Sequence, residues 1–257
     1  MSPKKIAVGS KKGGPGKTTV TVRLGEAFVR AGKRVLVVDL DSQANATTLL
    51  EVEGENNLFD VLFSGRPGDI LDAIYPSSFE GIDVVPGSAS LTRIVTETLV
   101  AAEMRLKTAA HGVDEELSAY DYILIDLPPA VDRLTLNGLV YADFALAVAE
   151  PTSFGLEGVM RFLETVEDVK SLPHLNPELQ LAGIVVNKFD GTNEHRAGVQ
   201  DLLHAYGDVL LKPYIPLRTA MQQAESRRIP LSTMKTDGSR VLERHFDQLS
   251  KNLAERI

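Results

Sequence analysis

The stretch SKKGGPGKTT, residues 10–19, decides how the rest of the chain is read. An apolar run, Ile6–Ser10, leads into it, and a helical pattern, Thr18–Ala31, follows and stops at Gly32. A strand, a glycine-rich turn and a helix start in that order are the setting of a phosphate-binding loop. Gly13, Gly14 and Gly16 let the backbone approach phosphates and turn its N–H groups inward. The helix start adds its positive end. In such a loop Lys17 reaches the β- and γ-phosphates, the Thr18 hydroxyl ligates Mg2+, and Thr19 reaches the α-phosphate. Pro15 has no N–H, so the cradle has one donor fewer. The common pattern G-x-x-x-x-G-K-[ST] needs a glycine six residues before Lys17, where this chain has Lys11. The loop is therefore a variant, and its front carries a further lysine, Lys12, that a single bound nucleotide does not require.

Outward from the loop, apolar β-rich runs alternate with helical patterns. Strands are expected at Ile6–Ser10, Arg34–Asp39, Ile82–Pro86, Tyr122–Asp126, Phe144–Ala149, Leu181–Asn187 and near Tyr214. Most lack polar alternation, as strands covered on both faces do. Helices are expected at Leu91–Ser118 with a break near His111-Gly112, and at Leu134–Tyr141, Leu156–Leu172, Glu194–Tyr206 and about 238–256. Arg66-Pro67-Gly68 and Pro76-Ser77-Ser78 read as surface turns. The alternation predicts an α/β fold: a mainly parallel twisted sheet flanked by helices on both faces, with residues 1–257 forming one domain.

Composition narrows the function. The chain has 257 residues, 44% of them hydrophobic, and no Cys or Trp. Without Cys there is no disulfide, no cysteine-held metal and no thiol nucleophile. No stretch is long enough to span a bilayer. The net charge is −8. Residues 188–257 hold 11 Lys+Arg against 9 Asp+Glu, and residues 1–187 hold 16 against 26. An anionic polymer should therefore meet the C-terminal third.

Two further segments carry acidic candidates. In VLVVDLDSQAN, residues 35–45, Asp39 and Asp41 lie two apart at a strand end and face the same side, with Asp41 further out. In YDYILIDLPPAVD, residues 120–132, Asp126 ends a hydrophobic strand. A carboxylate at the C-terminal end of a neighbouring parallel strand lies beside the phosphate loop, where it can hold magnesium-bound water.

KGGPGKTT resembles the deviant phosphate loop K-G-G-x-G-K-[ST] of the ParA/MinD group of P-loop ATPases. The carboxylate segments are similar to that group's D-x-D-P-Q, with Ser42 where proline is usual, and to its D-x-P-P. The resemblance implies that Lys12 crosses to the phosphates of a second subunit in an ATP-sandwich homodimer. It implies that Asp41 orients or deprotonates the attacking water, and that Asp39 tunes the Mg2+ shell or the loop. It places Asn187, in GIVVNKFD, and the segment Pro216-Leu217-Arg218 at the adenine. The match runs along about 250 residues in order and spacing, and is far more specific in the nucleotide motifs than after residue 188.

Within that group, cysteine-dependent members are excluded, and the tail after Asp237 has no Tyr cluster of the tyrosine-kinase kind. The terminus VLERHFDQLSKNLAERI has a mixed-charge polar face and a narrow apolar seam, so a core-packing helix is expected there in place of a membrane anchor. About five residues precede the first strand, too few for an N-terminal helix-turn-helix. What remains resembles ParA/Soj-like partition ATPases. The resemblance implies slow, Mg2+-dependent ATP hydrolysis stimulated by a ParB-like protein, nonspecific binding of double-stranded DNA by the ATP dimer, and a cytoplasmic, nucleoid-associated location without membrane contact. Arg218, Arg227, Arg228, Lys235, Arg240 and Arg244 are the candidate DNA-binding residues. Three alternatives stay open. One is a nucleoid-based ATPase positioning a carboxysome, chemoreceptor or flagellar cargo. Another is a membrane-surface regulator like MinD. The third is a non-hydrolysing nucleotide-dependent scaffold.

Overall fold

The structure, a computed structural model, describes residues 2–257. Its first half runs β1 (Lys4–Gly9), α1 (Lys17–Arg30), β2 (Val35–Asp39), α2 (Asn45–Leu49), α3 (Leu58–Ser64), β3 (Tyr75–Pro76), β4 (Ile82–Val85), α4 (Thr92–Thr96), α5 (Arg105–Ala109) and α6 (Asp114–Leu117). It continues β5 (Tyr122–Asp126), α7 (Arg133–Tyr141), β6 (Phe144–Ala149), α8 (Ser153–Ser171), β7 (Gln180–Val186), α9 (Asn193–Tyr206), β8 (Leu210–Leu211), α10 (Thr219–Ser226), α11 (Leu231–Met234) and α12 (Asp237–Ala254). The strands form one sheet in the order β3-β4-β2-β5-β1-β6-β7-β8, parallel except for the β3–β4 pair at one edge.

Side chains alternate between two apolar cores. Val35 and Val37 of β2 and Leu146 and Val148 of β6 face one core, with residues of α1, α10, α11 and α12. Leu36, Val38, Ala145 and Ala147 face the other, with residues of α3, α5, α7, α8 and α9. Both faces of each central strand are thus covered, which is why their sequences are apolar throughout instead of alternating. At the terminus, Thr236 and Ser239 form a capping box at the start of α12. Leu242, Phe246, Leu249 and Leu253 are fully buried against the α1 side of the sheet, so the helix packs into the core as its seam predicts.

Several expectations need correction. The helix expected over Leu91–Ser118 is broken into α4, α5, α6 and 3-10 turns at Ala89–Leu91 and Ala102–Met104. Thr96 to Val100 includes two threonines and a valine, β-branched residues that favour extended backbone. Glu97 is extended and Ala101 lies at φ 49°, which ends the helical path well before His111. The last strand falls at Leu210–Leu211, with only an isolated bridge from Phe189 to Pro216 beyond it. Pro76 belongs to the short edge strand, not to a turn. Helices α2, α3, α10 and α11 went unread because each is only 4 to 8 residues long, too short to show a helical period.

A buried ion pair ties α1 to the chain between α10 and α11. Arg23, fully buried, donates through Nη1 to Glu26 and to the Ile229 carbonyl oxygen at 3.3 Å. Glu26 Oε2 accepts from the Leu231 backbone N–H at 3.3 Å. Burial pushes the Glu26 carboxyl above its usual value, and the Arg23 charge opposes that. Removing one member of a buried pair costs about 3–5 kcal/mol because the other charge is left without its partner. Arg30, with Nη1 3.6 Å from Glu26 Oε2, retains part of the compensation. Arg23→Ala is therefore expected to destabilise the fold by about 3 kcal/mol, the low end of that range. Urea unfolding of the two proteins side by side checks this.

Candidate active site at the phosphate loop

Three neighbouring strands, β2, β5 and β1, bring their C-terminal ends together, with Val8 opposite Asp126 and Asp126 opposite Asp39. The phosphate loop leaves β1 at this edge and enters α1 at Gly16, whose φ of 87° is left-handed. Of the sequence-predicted residues, Lys12, Gly13, Gly14, Pro15 and Gly16 lie on this turn and Lys17, Thr18 and Thr19 open α1.

Asp126 is fully buried. Its Oδ2 accepts from the Thr18 hydroxyl at 2.6 Å and its Oδ1 from the Thr21 hydroxyl at 3.1 Å. Burial, reinforced by the neighbouring Asp39 charge, pushes its carboxyl up to about 7. Lys17 is buried too, which pulls its ammonium below the usual value, while Asp126 and then Asp41 hold it up. The Lys17 ammonium lies 3.5 Å from the Lys12 carbonyl oxygen. Asp41, 7% exposed, accepts from the Gln43 backbone N–H at 2.9 Å.

Of the two roles expected for Asp39, tuning the Mg2+ shell or the loop, its contacts fit the second. Its Oδ2 accepts from the Thr47 N–H at 2.9 Å and the Thr47 hydroxyl at 2.7 Å, and its Oδ1 from the Asp41 N–H at 3.2 Å. Both oxygens thus hold residues 41–47 in place, and the loop-shaping role is the one its contacts support. Burial still pushes this carboxyl up to about 6.

The donor set suits magnesium. Thr18 and Asp126 offer hard oxygens, and Mg2+ is commonly held by one or two such protein groups together with phosphate and water. Among the described residues no group of three or more His, Cys, Asp and Glu forms a protein-only metal cage.

Asn187 sits at the end of β7, as expected, but its amide is turned to the loop. Its Nδ2 donates to the Pro15 carbonyl oxygen at 2.8 Å, and a Cβ on Gly16 would lie 2.4 Å from that nitrogen. Only glycine fits there. Asn187, Pro216 and Thr19 still share a narrow cleft of about 60 Å³ with Arg218 and Met221. A wider cleft of about 300 Å³, lined by Thr18, Thr19, Asn45 and Arg228, lies next to it. Thr19 donates its hydroxyl to Glu225, which lines both clefts.

Some basic candidates of the C-terminal third have local partners. Arg218 lines the narrow cleft and Arg228 the wide one, where it pairs with Glu51 at 3.8 Å. Arg240 pairs with Asp237 at 3.3 Å, in a surface groove shared with Arg244, Arg30, Glu243 and Asp247. Among the described residues, Arg227 and Lys235 are exposed and make no ion pair.

Sequence reasoning missed Thr21, Thr47, Glu150, Lys188 and Glu225. Thr21 had a signal: it stands three and four residues from Thr18 and Lys17, on the same helix face. The others act through contacts between segments distant in sequence.

The chain is similar to known proteins along most of its length. A family model described as an AAA domain matches residues 3–181. The chain is similar to the sporulation initiation inhibitor protein Soj of Bacillus subtilis, 34% identical over 88% of this chain and 89% of that protein. It is similar to the chromosome partitioning protein ParA of Caulobacter vibrioides, 32% identical over 91% of this chain and 89% of that one. Among solved structures, cobyrinic acid a,c-diamide synthase from Mycobacterium smegmatis with bound ADP and magnesium matches with a TM-score of 0.76 at 29% identity, over 88% of this chain and 91% of that chain.

The buried carboxylates predict a pH dependence. A carboxyl whose folded pKa is raised stabilises the fold fully below its unfolded value, near 3.9, and that contribution is lost as pH rises through the folded value. For Asp126 the loss runs from about pH 4 to about pH 7. In chelator and without nucleotide, Asp126→Asn should therefore gain stability relative to the unsubstituted protein as pH is raised from 5 to 8. Urea midpoints across that range test it, and a constant difference would contradict the assignment.

Proposed function

The chain belongs to the ParA/Soj family of partition ATPases, and from that premise we propose that it is a Mg2+-dependent ATPase acting as an ATP-sandwich homodimer on DNA. In this reading the dimer binds duplex DNA without sequence preference, and a ParB-like protein stimulates hydrolysis and release. The observation that carries the reading is the Thr18–Asp126 contact of 2.6 Å beneath a loop with two lysines, one buried and one at the surface.

Thr18 and Asp126 would hold the ion, which supplies charge neutralisation of the phosphates when bound. Lys17, already withdrawn from water, offers its ammonium to the β- and γ-phosphates without first shedding a full hydration shell. Asp41 stands at the outer rim of the site, fixed by its turn to Gln43, where it can orient the attacking water. Lys12 would serve the partner's nucleotide: two triphosphates brought face to face repel strongly unless cations lie between them. Residues 1–257 would act as one domain. No helix among the described residues is long and apolar enough to cross a membrane. The ATPase would act in the cytoplasm, on the nucleoid.

Lys12→Ala should abolish ATP-dependent dimerisation while the monomer still binds nucleotide. Sizing chromatography with ATP and Mg2+ checks this, and a persistent ATP dimer would refute the role of Lys12. Replacing both Arg227 and Arg228 with Glu should leave the dimer intact and weaken DNA binding. Each lost phosphate contact lowers the slope of log affinity against log salt by about 0.9, so up to four lost contacts per dimer lower it by about 3–4. A gel-shift salt titration on nonspecific duplex measures it; an unchanged slope would move the DNA surface elsewhere.

A further inference from the structure

We propose that Glu150 is a positioning residue that seats Lys12 on its own subunit, with Lys188 as the cation that retains this carboxylate when Lys12 leaves for a second subunit. The proposal rests on the reading of Lys12 as the residue that crosses between subunits.

The seat lies where three adjacent strands end. Lys12 follows β1, Glu150 follows β6 directly, and Lys188 follows β7 by two residues. Glu150 faces both lysines at once: its Oε2 lies 3.8 Å from the Lys12 ammonium and its Oε1 lies 2.7 Å from that of Lys188. Lys188 also donates to the Gly14 carbonyl oxygen, so the same cation touches the phosphate loop. Lys188 has a φ of 58°, a left-handed backbone that a residue with a Cβ adopts at a cost. The contacts of its ammonium give that conformation a reason.

The N-terminal turns of α8 form the other wall. The Lys12 ammonium lies 5.6 Å from the centre of the Phe154 ring, which is 69% exposed. The Lys11 backbone N–H donates to the Gly158 carbonyl oxygen at 3.3 Å, and a Cβ on Gly158 would lie 3.2 Å from the Lys12 Cβ. A Cβ on Gly155 would lie 1.9 Å from the Glu150 carbonyl oxygen. Two glycines therefore let α8 close on both the lysine and its carboxylate.

The seat is weak by construction. The Lys12 side chain is 36% exposed and its distance to Glu150 is long for an ion pair. Pairs of this kind shift an equilibrium by about two- to fivefold. A triphosphate carries several charges and outcompetes one half-exposed carboxylate. Lys12 thus stays home until a nucleotide-bearing partner presents itself. A two-fold symmetric dimer must empty two seats, so the effects multiply to about four- to twenty-five-fold on dimerisation. After departure, Lys188 keeps Glu150 neutralised at 2.7 Å, so no bare carboxylate is left to face the partner's phosphates.

The test is the ATP-dependent dimer dissociation constant, measured by sedimentation velocity across protein concentrations at low and high salt. Glu150→Gln should tighten the dimer by about four- to twenty-five-fold at low salt, with the difference shrinking towards one at high salt as screening removes the ion pair. Lys188→Met should act in the opposite direction, because it leaves Glu150 to Lys12 alone. A general packing defect would weaken both variants and would not respond to salt in this way. If the unsubstituted chain forms an ATP dimer and Glu150→Gln leaves it unchanged or weaker, the seat is overturned. If the unsubstituted chain forms no ATP dimer at all, the reading of Lys12 fails instead.

Discussion

Two carboxylates and one ammonium are withdrawn from water at the C-terminal ends of adjacent parallel strands, and the site is built around that charge imbalance. Asp39 and Asp126 stand opposite each other in register, and the Lys17 charge acts on Asp126. Burial is expensive for each charge and repulsion adds to it, so both carboxyls are held well above their usual values. The surrounding hydroxyls belong to the same solution. Thr18 and Thr21 satisfy Asp126, and Thr47 satisfies Asp39. The covering helices that keep the sheet dry make the imbalance severe. A divalent ion at the rim would correct it, and the oxygens there suit one.

The same constraint explains why the loop is fastened from outside itself. A turn with glycines at three of four successive positions has little intrinsic stiffness. Its order comes from the segment that follows β7, two strands away in the sheet: Asn187 holds the Pro15 carbonyl and Lys188 the Gly14 carbonyl. Pro15 removes one N–H from the cradle, and its own carbonyl is the point at which β7 grips the turn. The left-handed Gly16 then aims Lys17 down towards Asp126 and Asp41.

What was legible in the sequence follows from which physics is local. Apolar strands covered on both faces announce themselves, and β5 and β6 fall on their expected bounds. The phosphate loop reads directly because its strand, turn and helix are contiguous. The middle of the chain, residues 89–118, did not read, because short helices there are held by packing on α3 and α7 and not by their own period. Asp39 was legible at its strand end, but its partner Thr47 was invisible: the chain must turn back and begin α2 before the two meet. Glu150 and Lys188 are 38 residues apart and meet only because β6 and β7 are neighbours.

Charge placement on the outer surface obeys a related economy. The C-terminal third has the chain's surplus of basic residues, yet the fold hands several of them local carboxylates, Arg228 to Glu51 and Arg240 to Asp237. Exposed pairs of this sort are weak and screened by salt. A single chain of net charge −8 with partly occupied cations has little hold on a polyanion. In the proposed dimer, two copies would present the same cations to one duplex and double the contacts, and each exposed pair would give way at small cost. The internal pairing of Lys12 with Glu150 follows the same logic at the nucleotide site. In both places, on the proposed reading, a modest intramolecular partner would keep a cation quiet until a stronger polyanion is delivered.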